Sequence, residues 1–267
     1  MILGAIVGDI VGCPFEFNNL KSTEFPLYCE RSSFTDDTVM TLAVAEALMR
    51  AFDGGEPLSY ALTDSLLRFG RAYPDAGYGA RFHRWLAGAE SIPQPYDSWG
   101  NGSAMRVSPA AWACRSLEAV EVLAAETAKV THNHPEGIRG AQATAACIYL
   151  ARAECDDAEI RSYVEDRFGY SLDFRLDEIR DAYEFDESCQ GTVPQAIEVF
   201  FEARDFEDCA RLAVSFGGDS DTLAAIACSI AHARWGVPDL IEQEARARLT
   251  EDLIAVNDAF CERFGVA

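Results

Sequence analysis

Apolar residues recur at three- and four-residue intervals along most of this chain, the period of a helix with a buried face. The spacing predicts helices in "DTVMTLAVAEALMRAF" (37–52), "LTDSLLRFGRA" (62–72), "SLEAVEVLAAETAKV" (116–130) and "IRGAQATAACIYLARA" (138–153). It continues in "VPQAIEVFFEA" (193–203), "FEDCARLAVSF" (206–216), "DTLAAIACSIAHARW" (221–235) and "EDLIAVNDAFCERF" (251–264). No stretch alternates apolar and polar residues with β-branched enrichment, so the predicted class is all-α. The apolar arcs are wide, which suits packing on several neighbours rather than a coiled-coil seam. No period of roughly 20–50 residues repeats, as a solenoid requires.

Turn chemistry separates the helices at Gly54-Gly55, "YPDAGYG" (73–79), "SIPQPYDSWGNGS" (91–103), "HNHPEG" (132–137) and "GVP" (236–238). None is long or biased enough for an interdomain linker, so one domain over 1–267 is expected. The opening "MILGAIVGDIVG" is apolar, but Asp9 interrupts it and no basic segment precedes it. It also falls short of the about 18 residues that span a bilayer. It reads as a buried helix of a cytoplasmic protein with no membrane partner.

With 49% hydrophobic and 25% charged residues the chain has the composition of a folded globular protein. Its 44 acidic residues against 22 basic ones leave a net charge of −22, which disfavours nucleic acid as a partner. Such a surface attracts cationic substrates and divalent metals, although solubility alone also accounts for it. The nine cysteines are odd in number and scattered without a CxxC pair, which argues against a disulfide framework or a zinc site. They read as reduced core residues.

The carboxylates are distributed less evenly. "SFTDDT" (33–38) and "SFGGDSDT" (215–222) each place two aspartates and hydroxyl residues at the mouth of an apolar helix. Helix capping explains one such residue per helix. Here Thr35, Asp36, Asp37 and Thr38 stand together, as do Asp219, Ser220, Asp221 and Thr222, and adjacent carboxylates repel unless a cation neutralises them. An all-oxygen donor set suits Mg²⁺, Mn²⁺ or Ca²⁺ rather than zinc. Spacing leaves two outcomes open: separate caps, or two clusters meeting across a bundle as a binuclear site. Glu16, in a turn-like segment after the first helix, is a third candidate ligand or a solvated surface residue.

"WGNGSAMRVSP" (99–109) joins a glycine-rich turn to a helix expected to begin near Ser103, where backbone N–H groups suit a phosphate. His132 and His134 in "THNHPEG" are either solvated loop residues or include one ligand contact. The chain contains no HExxH, GxSxG, P-loop or GxGxxG, so the corresponding zinc peptidase, serine hydrolase, nucleotide triphosphatase and Rossmann chemistries lack their residues.

Taken in order, "GAIVGDIVGCPFEF", "SFTDDTVMTLAVAEAL", "YPDAGYG", "GNGSAMRVSP", "THNHPEGIRGAQATA" and "SFGGDSDTLAAIACSIAHARWG" resemble the ADP-ribosylglycohydrolase family from about Gly4 to Gly236. That family includes hydrolases of ADP-ribosylarginine and ADP-ribosylserine and the dinitrogenase reductase-activating glycohydrolase. The resemblance implies a single compact, orthogonal multi-helix domain with a central binuclear metal site holding two Mg²⁺ or Mn²⁺ ions. It implies metal ligands at Thr35, Asp36, Asp37, Asp219, Asp221, Thr222 and Glu16. It also implies a diphosphate cradle at Gly100, Asn101, Gly102 and Ser103, with Met105 beside it and His132 in the ADP-ribose cleft. Gly77, Tyr78 and Gly79 match a loop on the ribose or adenine side, and Asp75 falls close to an acid with a proton-transfer role in some members.

The reaction implied is hydrolysis of the bond between the distal ribose and a protein side chain. Asp36, Asp37 or Glu16 serves as base, and Asp75 donates or relays a proton. The acidic balance favours an arginine-linked substrate. Serine-linked, O-acetyl and nucleobase-linked ADP-ribose are alternatives, as are a small-molecule hydrolase using the same cleft and a catalytically silent ADP-ribose-binding relative.

Overall fold

The computed structural model describes residues 2–88 and 93–266. Among them the backbone forms fifteen α-helices and no strand; an isolated antiparallel bridge joins Gly100 to Ser188. The first half comprises α1 (Leu3–Gly12), α2 (Asp36–Gly54), α3 (Leu58–Ala72), α4 (Ala80–Ala87), α5 (Gly102–Met105), α6 (Ser108–Ala113), α7 (Leu117–Lys129) and α8 (Pro135–Arg152). The second comprises α9 (Asp157–Phe168), α10 (Leu176–Ile179), α11 (Cys189–Glu202), α12 (Phe206–Phe216), α13 (Ser220–Trp235), α14 (Asp239–Arg246) and α15 (Glu251–Phe264). A 3-10 turn, Cys13–Phe15, follows α1. Each of the eight internal segments with helical periodicity lies on a helix, and the opening segment is α1, buried at every position.

Three helices of eight or more residues escape the periodicity. The chain turns α9 toward the core through only Ile160, Val164 and Phe168, one residue per turn. Its sequence signal was instead the capping box of Asp156 and Glu159. The short α4 and α14 likewise bury few residues. Helix α11 begins at Cys189 rather than near Val193, because the Ser188 side chain accepts from Gly191 N at 2.9 Å and caps a turn earlier. The helix expected near Ser103 is a single turn. Ser91 and Ile92 of the 91–103 turn lie outside the described residues.

The contact that organises the site is between α1 and α13. Gly4, Gly8 and Gly12 fall on one face of α1 and press directly on the α13 backbone: a Cβ on Gly8 would lie 2.2 Å from Ala224 O, and one on Gly12 2.5 Å from Asp221 Cα. Only a residue without a side chain allows that approach. It brings the start of α13 beside the end of α1, with Ser220 Oγ donating to Gly12 O at 3.2 Å. One contiguous apolar cluster, including Ile6, Ile10, Leu42, Ile148, Val193 and Ile226, surrounds this pair.

Candidate active site

The acidic pole is assembled from three places in the chain. Helix α2 begins at the Thr35 N-cap, whose hydroxyl accepts from Asp37 N at 3.3 Å. Asp9, wholly buried on α1, accepts from Thr35 N at 2.9 Å, from Thr35 Oγ1 at 2.7 Å, from Thr38 N at 3.1 Å and from the Thr38 hydroxyl. Opposite them the chain turns from α12 into α13 through Gly217 and Gly218, both at positive φ (81° and 71°), a conformation glycine adopts without strain. Asn19 clamps this turn, accepting from Gly218 N at 2.6 Å and donating to Gly218 O at 3.1 Å. Lys21 Nζ adds a bond to Phe216 O at 2.7 Å.

Capping accounts for only part of the second cluster, in which Asp221 Oδ1 accepts from Thr222 N at 3.0 Å. Asp219 occupies the N-cap position of α13 but makes no side-chain cap bond; its Oδ2 accepts from the Asn101 amide at 2.7 Å. Thr222 Oγ1 donates to Asp37 Oδ2 at 3.1 Å, joining the clusters across 185 positions of sequence. Candidate ligand atoms of Asp9, Asp37 and Asp221 lie within 4.8 Å of one another, as do those of Glu16, Asp219 and Asp221. Asp221 belongs to both groups.

These carboxylates sit in an environment that resists their ionisation. Burial, then the neighbouring carboxylates, raises Asp36, Asp37 and Asp221 well above the usual range. Burial likewise raises Asp219, against hydrogen bonds that include Asn101, and Asp9, against its four donors. Glu16 is pushed up to about 7 by burial and by the charges of Asp219 and Asp9. The Oδ1 atom of Asp37 is buried with no hydrogen-bond partner.

The residues fit a hard divalent cation. Their donors are carboxylate and hydroxyl oxygens, one is a buried carboxyl oxygen without a hydrogen-bond partner, and a cation at this place removes the repulsion. The hydroxyl protons of Thr35 and Thr222 are committed to Asp9 and Asp37, so each oxygen retains a lone pair.

A cavity of about 270 Å³ opens on this cluster. Its lining also includes Gly77 and Gly79, Arg81 over the Tyr96 ring, Met105, Arg106 and His132, Phe185, and the turn Gly100-Asn101-Gly102, where Asn101 N donates to Glu187 O at 2.8 Å. Of the two histidines in "THNHPEG", His132 is buried and faces the cavity, whereas His134 caps α8 by accepting from Glu136 N at 3.1 Å.

The sequence profile of the ADP-ribosylglycohydrolase family matches residues 1–266. The chain belongs to that family. ADP-ribosylhydrolase ARH3 of Mus musculus is 26% identical over an alignment covering 95% of this chain and 88% of its own. The ADP-ribosyl-[dinitrogen reductase] glycohydrolase of Rhodospirillum rubrum is 27% identical, covering 89% and 85%. The ADP-ribosylarginine hydrolase Tri1 of Pseudomonas putida is 28% identical, covering 91% and 73%. A solved structure described as an ADP-ribosylglycohydrolase-related protein complex superposes with a TM-score of 0.69 at 25% identity, covering 96% of this chain and 94% of that one.

In this ADP-ribosylglycohydrolase, Glu16, Asp36, Asp37, Asp219, Asp221 and Thr222 all line the cavity, as do Gly77, Gly79, Gly100, Asn101, Gly102, Met105 and His132. Thr35 lies behind the lining in the Asp9 network. Ser103 is turned away, donating to Gly137 O at 2.6 Å. The Tyr78 ring packs on Phe82 at 5.4 Å, and its hydroxyl is buried without a partner. Asp75 is exposed and is not among the lining residues.

Several residues of the site escape sequence reasoning. Asp9 stood out as the one charge in an apolar helix without being linked to Thr35 and Thr38. Arg106 carried a comparable signal within "GNGSAMRVSP". Tyr96, Phe185 and Glu187 gave none, because nothing local marks a loop residue as lining a cleft, and Arg81 reads as an ordinary exposed charge on the short α4. No helix among the described residues is long and apolar enough to cross a membrane.

Proposed function

We propose that this enzyme hydrolyses the glycosidic bond between ADP-ribose and a modified protein side chain, most simply an arginine, and that two divalent cations, Mg²⁺ or Mn²⁺, are required. Asp36, Asp37, Asp219, Asp221, Glu16, Thr35 and Thr222 would hold the cations. Bound there, divalent ions neutralise the carboxylates and acidify a coordinated water. The observation that carries this reading is the cavity itself, which the acidic cluster, the glycine turn and His132 line together.

The chain's own residues do the rest. Gly100 and Gly102 leave room for a ligand to approach the backbone, while Asn101 is spent on aiming Asp219. Glu16 lines the cavity and makes no side-chain hydrogen bond to the described residues, so a carboxylate oxygen not taken by a cation is free to accept a proton from a bound water. Asp75, exposed and off the lining, is the weaker proton carrier. An arginine-linked substrate is supported by the net charge of −22 and by Glu187 at the cavity, both complementary to a guanidinium leaving group.

The test measures ADP-ribose released from arginine-, serine- and nucleobase-linked conjugates with Mg²⁺, Mn²⁺ or chelator. Metal-dependent release from the arginine conjugate is expected. No release from any conjugate would sink the hydrolase reading, and release undiminished by chelator would sink the metal requirement.

A further inference from the structure

His132 enters the cavity from the segment between α7 and α8, and its ring is held from behind. Its Nδ1 lies 2.7 Å from the Thr131 hydroxyl oxygen, which is itself 2.6 Å from Arg106 Nη2. Arg106 is 1% exposed, Thr131 0% and His132 5%. The other bond from Arg106 Nη2 goes to Thr127 O at 3.2 Å, so its hydrogen-bond partners are both neutral.

What each atom can carry fixes the direction of the chain. A guanidinium donates and never accepts. Burial lowers Arg106 only to about 10, so it stays charged at neutral pH. Thr131 Oγ1 therefore accepts from Arg106. The single Thr131 hydroxyl proton then has one acceptor within reach among the described residues, His132 Nδ1. Were Nδ1 protonated instead, this hydroxyl would receive two donors and leave its own proton buried and unpaired, an arrangement folded proteins avoid. Satisfying every atom leaves Nδ1 as an acceptor and puts the ring proton on Nε2. That nitrogen faces the glycine turn: a Cβ on Gly102 would lie 3.2 Å from it. The same Cβ would lie 3.3 Å from Cε1, so a side chain on Gly102 would crowd this edge of the ring.

We propose that Arg106 and Thr131 are positioning residues that lock His132 in its Nε2–H form, making it a fixed neutral donor to an oxygen of the bound ligand. That the ligand is ADP-ribose rests on the proposed function; the locked tautomer does not. Burial, with the charges of Arg106 and Arg81, holds the imidazole well below its ordinary range, so the ring is neutral at working pH. A neutral Nε2–H selects for an accepting atom, as phosphate and ribose oxygens are, and against a donor.

The tautomer is read directly from nitrogen-15 shifts of histidine-labelled protein without ligand. Wild type is expected to show a pyridine-like Nδ1 and a pyrrole-like Nε2 at His132. Thr131→Val, nearly isosteric but without the hydroxyl, should populate the other tautomer and weaken ADP-ribose binding roughly five- to tenfold by calorimetry. Thr131→Ser should keep both the wild-type shifts and the affinity. A pyrrole-like Nδ1 in wild type overturns the proposal without any variant needing to fold, and so does a Thr131→Val protein with unchanged shifts. Wild-type protein with the expected shifts but no affinity for ADP-ribose leaves the lock standing and removes the proposed function instead.

Discussion

The side-chain amide of Asn101 donates to Asp219 Oδ2 at 2.7 Å and to Thr192 Oγ1 at 3.1 Å, tying the glycine turn to the acidic pole. A residue that the family resemblance implies as a substrate contact therefore also aims a candidate metal ligand. Replacing Asn101 with Ala frees Asp219 to rotate, and the loss of such an orienting partner typically weakens metal binding about 10- to 100-fold. Calorimetric titration of Mn²⁺ into wild type and Asn101→Ala would check this; equal affinities would separate Asn101 from the metal site.

The raised carboxylates set the sign of the pH response. A group whose folded pKa lies above its unfolded value stabilises the fold at low pH and loses that contribution as pH rises through the folded value. Asp36, Asp37, Asp219, Asp221 and Asp9 all shift upward, and Glu16 reaches about 7. The Tm of chelator-treated protein should fall between about pH 5 and about pH 8. Added Mg²⁺ or Mn²⁺ competes with protons for the same oxygens, so the Tm increment it produces should grow over that range.

Asp9 satisfies four donors at once, two N–H groups and two hydroxyls of the α2 start. Asp9→Ala leaves all four buried, at a cost of about 2–4 kcal/mol. Asp9→Asn keeps the shape but turns an NH₂ toward donors, so it should recover only part of the loss. Urea unfolding of the three proteins measures both steps.

Glycine substitutions on α1 should depend on what each faces. Gly12→Ala drives a Cβ to 2.5 Å from Asp221 Cα and Ser220 O, an overpacking cost of about 1–3 kcal/mol. Because the displaced atoms carry Asp221, metal affinity should fall as well. Gly54→Ala, at the end of α2 with nothing within 4 Å of its Cβ, should be neutral or slightly stabilising. Thermal melts with and without Mn²⁺ separate the two effects.

Much of this protein was legible before its structure. Helices announced themselves wherever a wide apolar face had to be buried, as in α2 and α13, and stayed hidden where burial was thin, as in α9 with three inward residues. The two aspartate clusters were legible because both exceed what capping needs. Gly4, Gly8 and Gly12 passed as ordinary members of an apolar run, since the reason for each glycine is an α13 atom more than two hundred residues away.

Local sequence suffices for the all-α class and for the kind of chemistry available, carboxylates and hydroxyls at two helix starts with a glycine turn and a histidine between them. Those are local properties, set by side-chain period and by neighbours one to four positions apart. That Asp37 and Thr222 meet, that Asp9 bonds Thr35, that Asp75 is exposed and that Arg106 reaches Thr131 follows from long-range packing. Desolvation, pKa and proton direction depend on which helices press together, and the close approach of α1 to α13 sets that for the acidic pole.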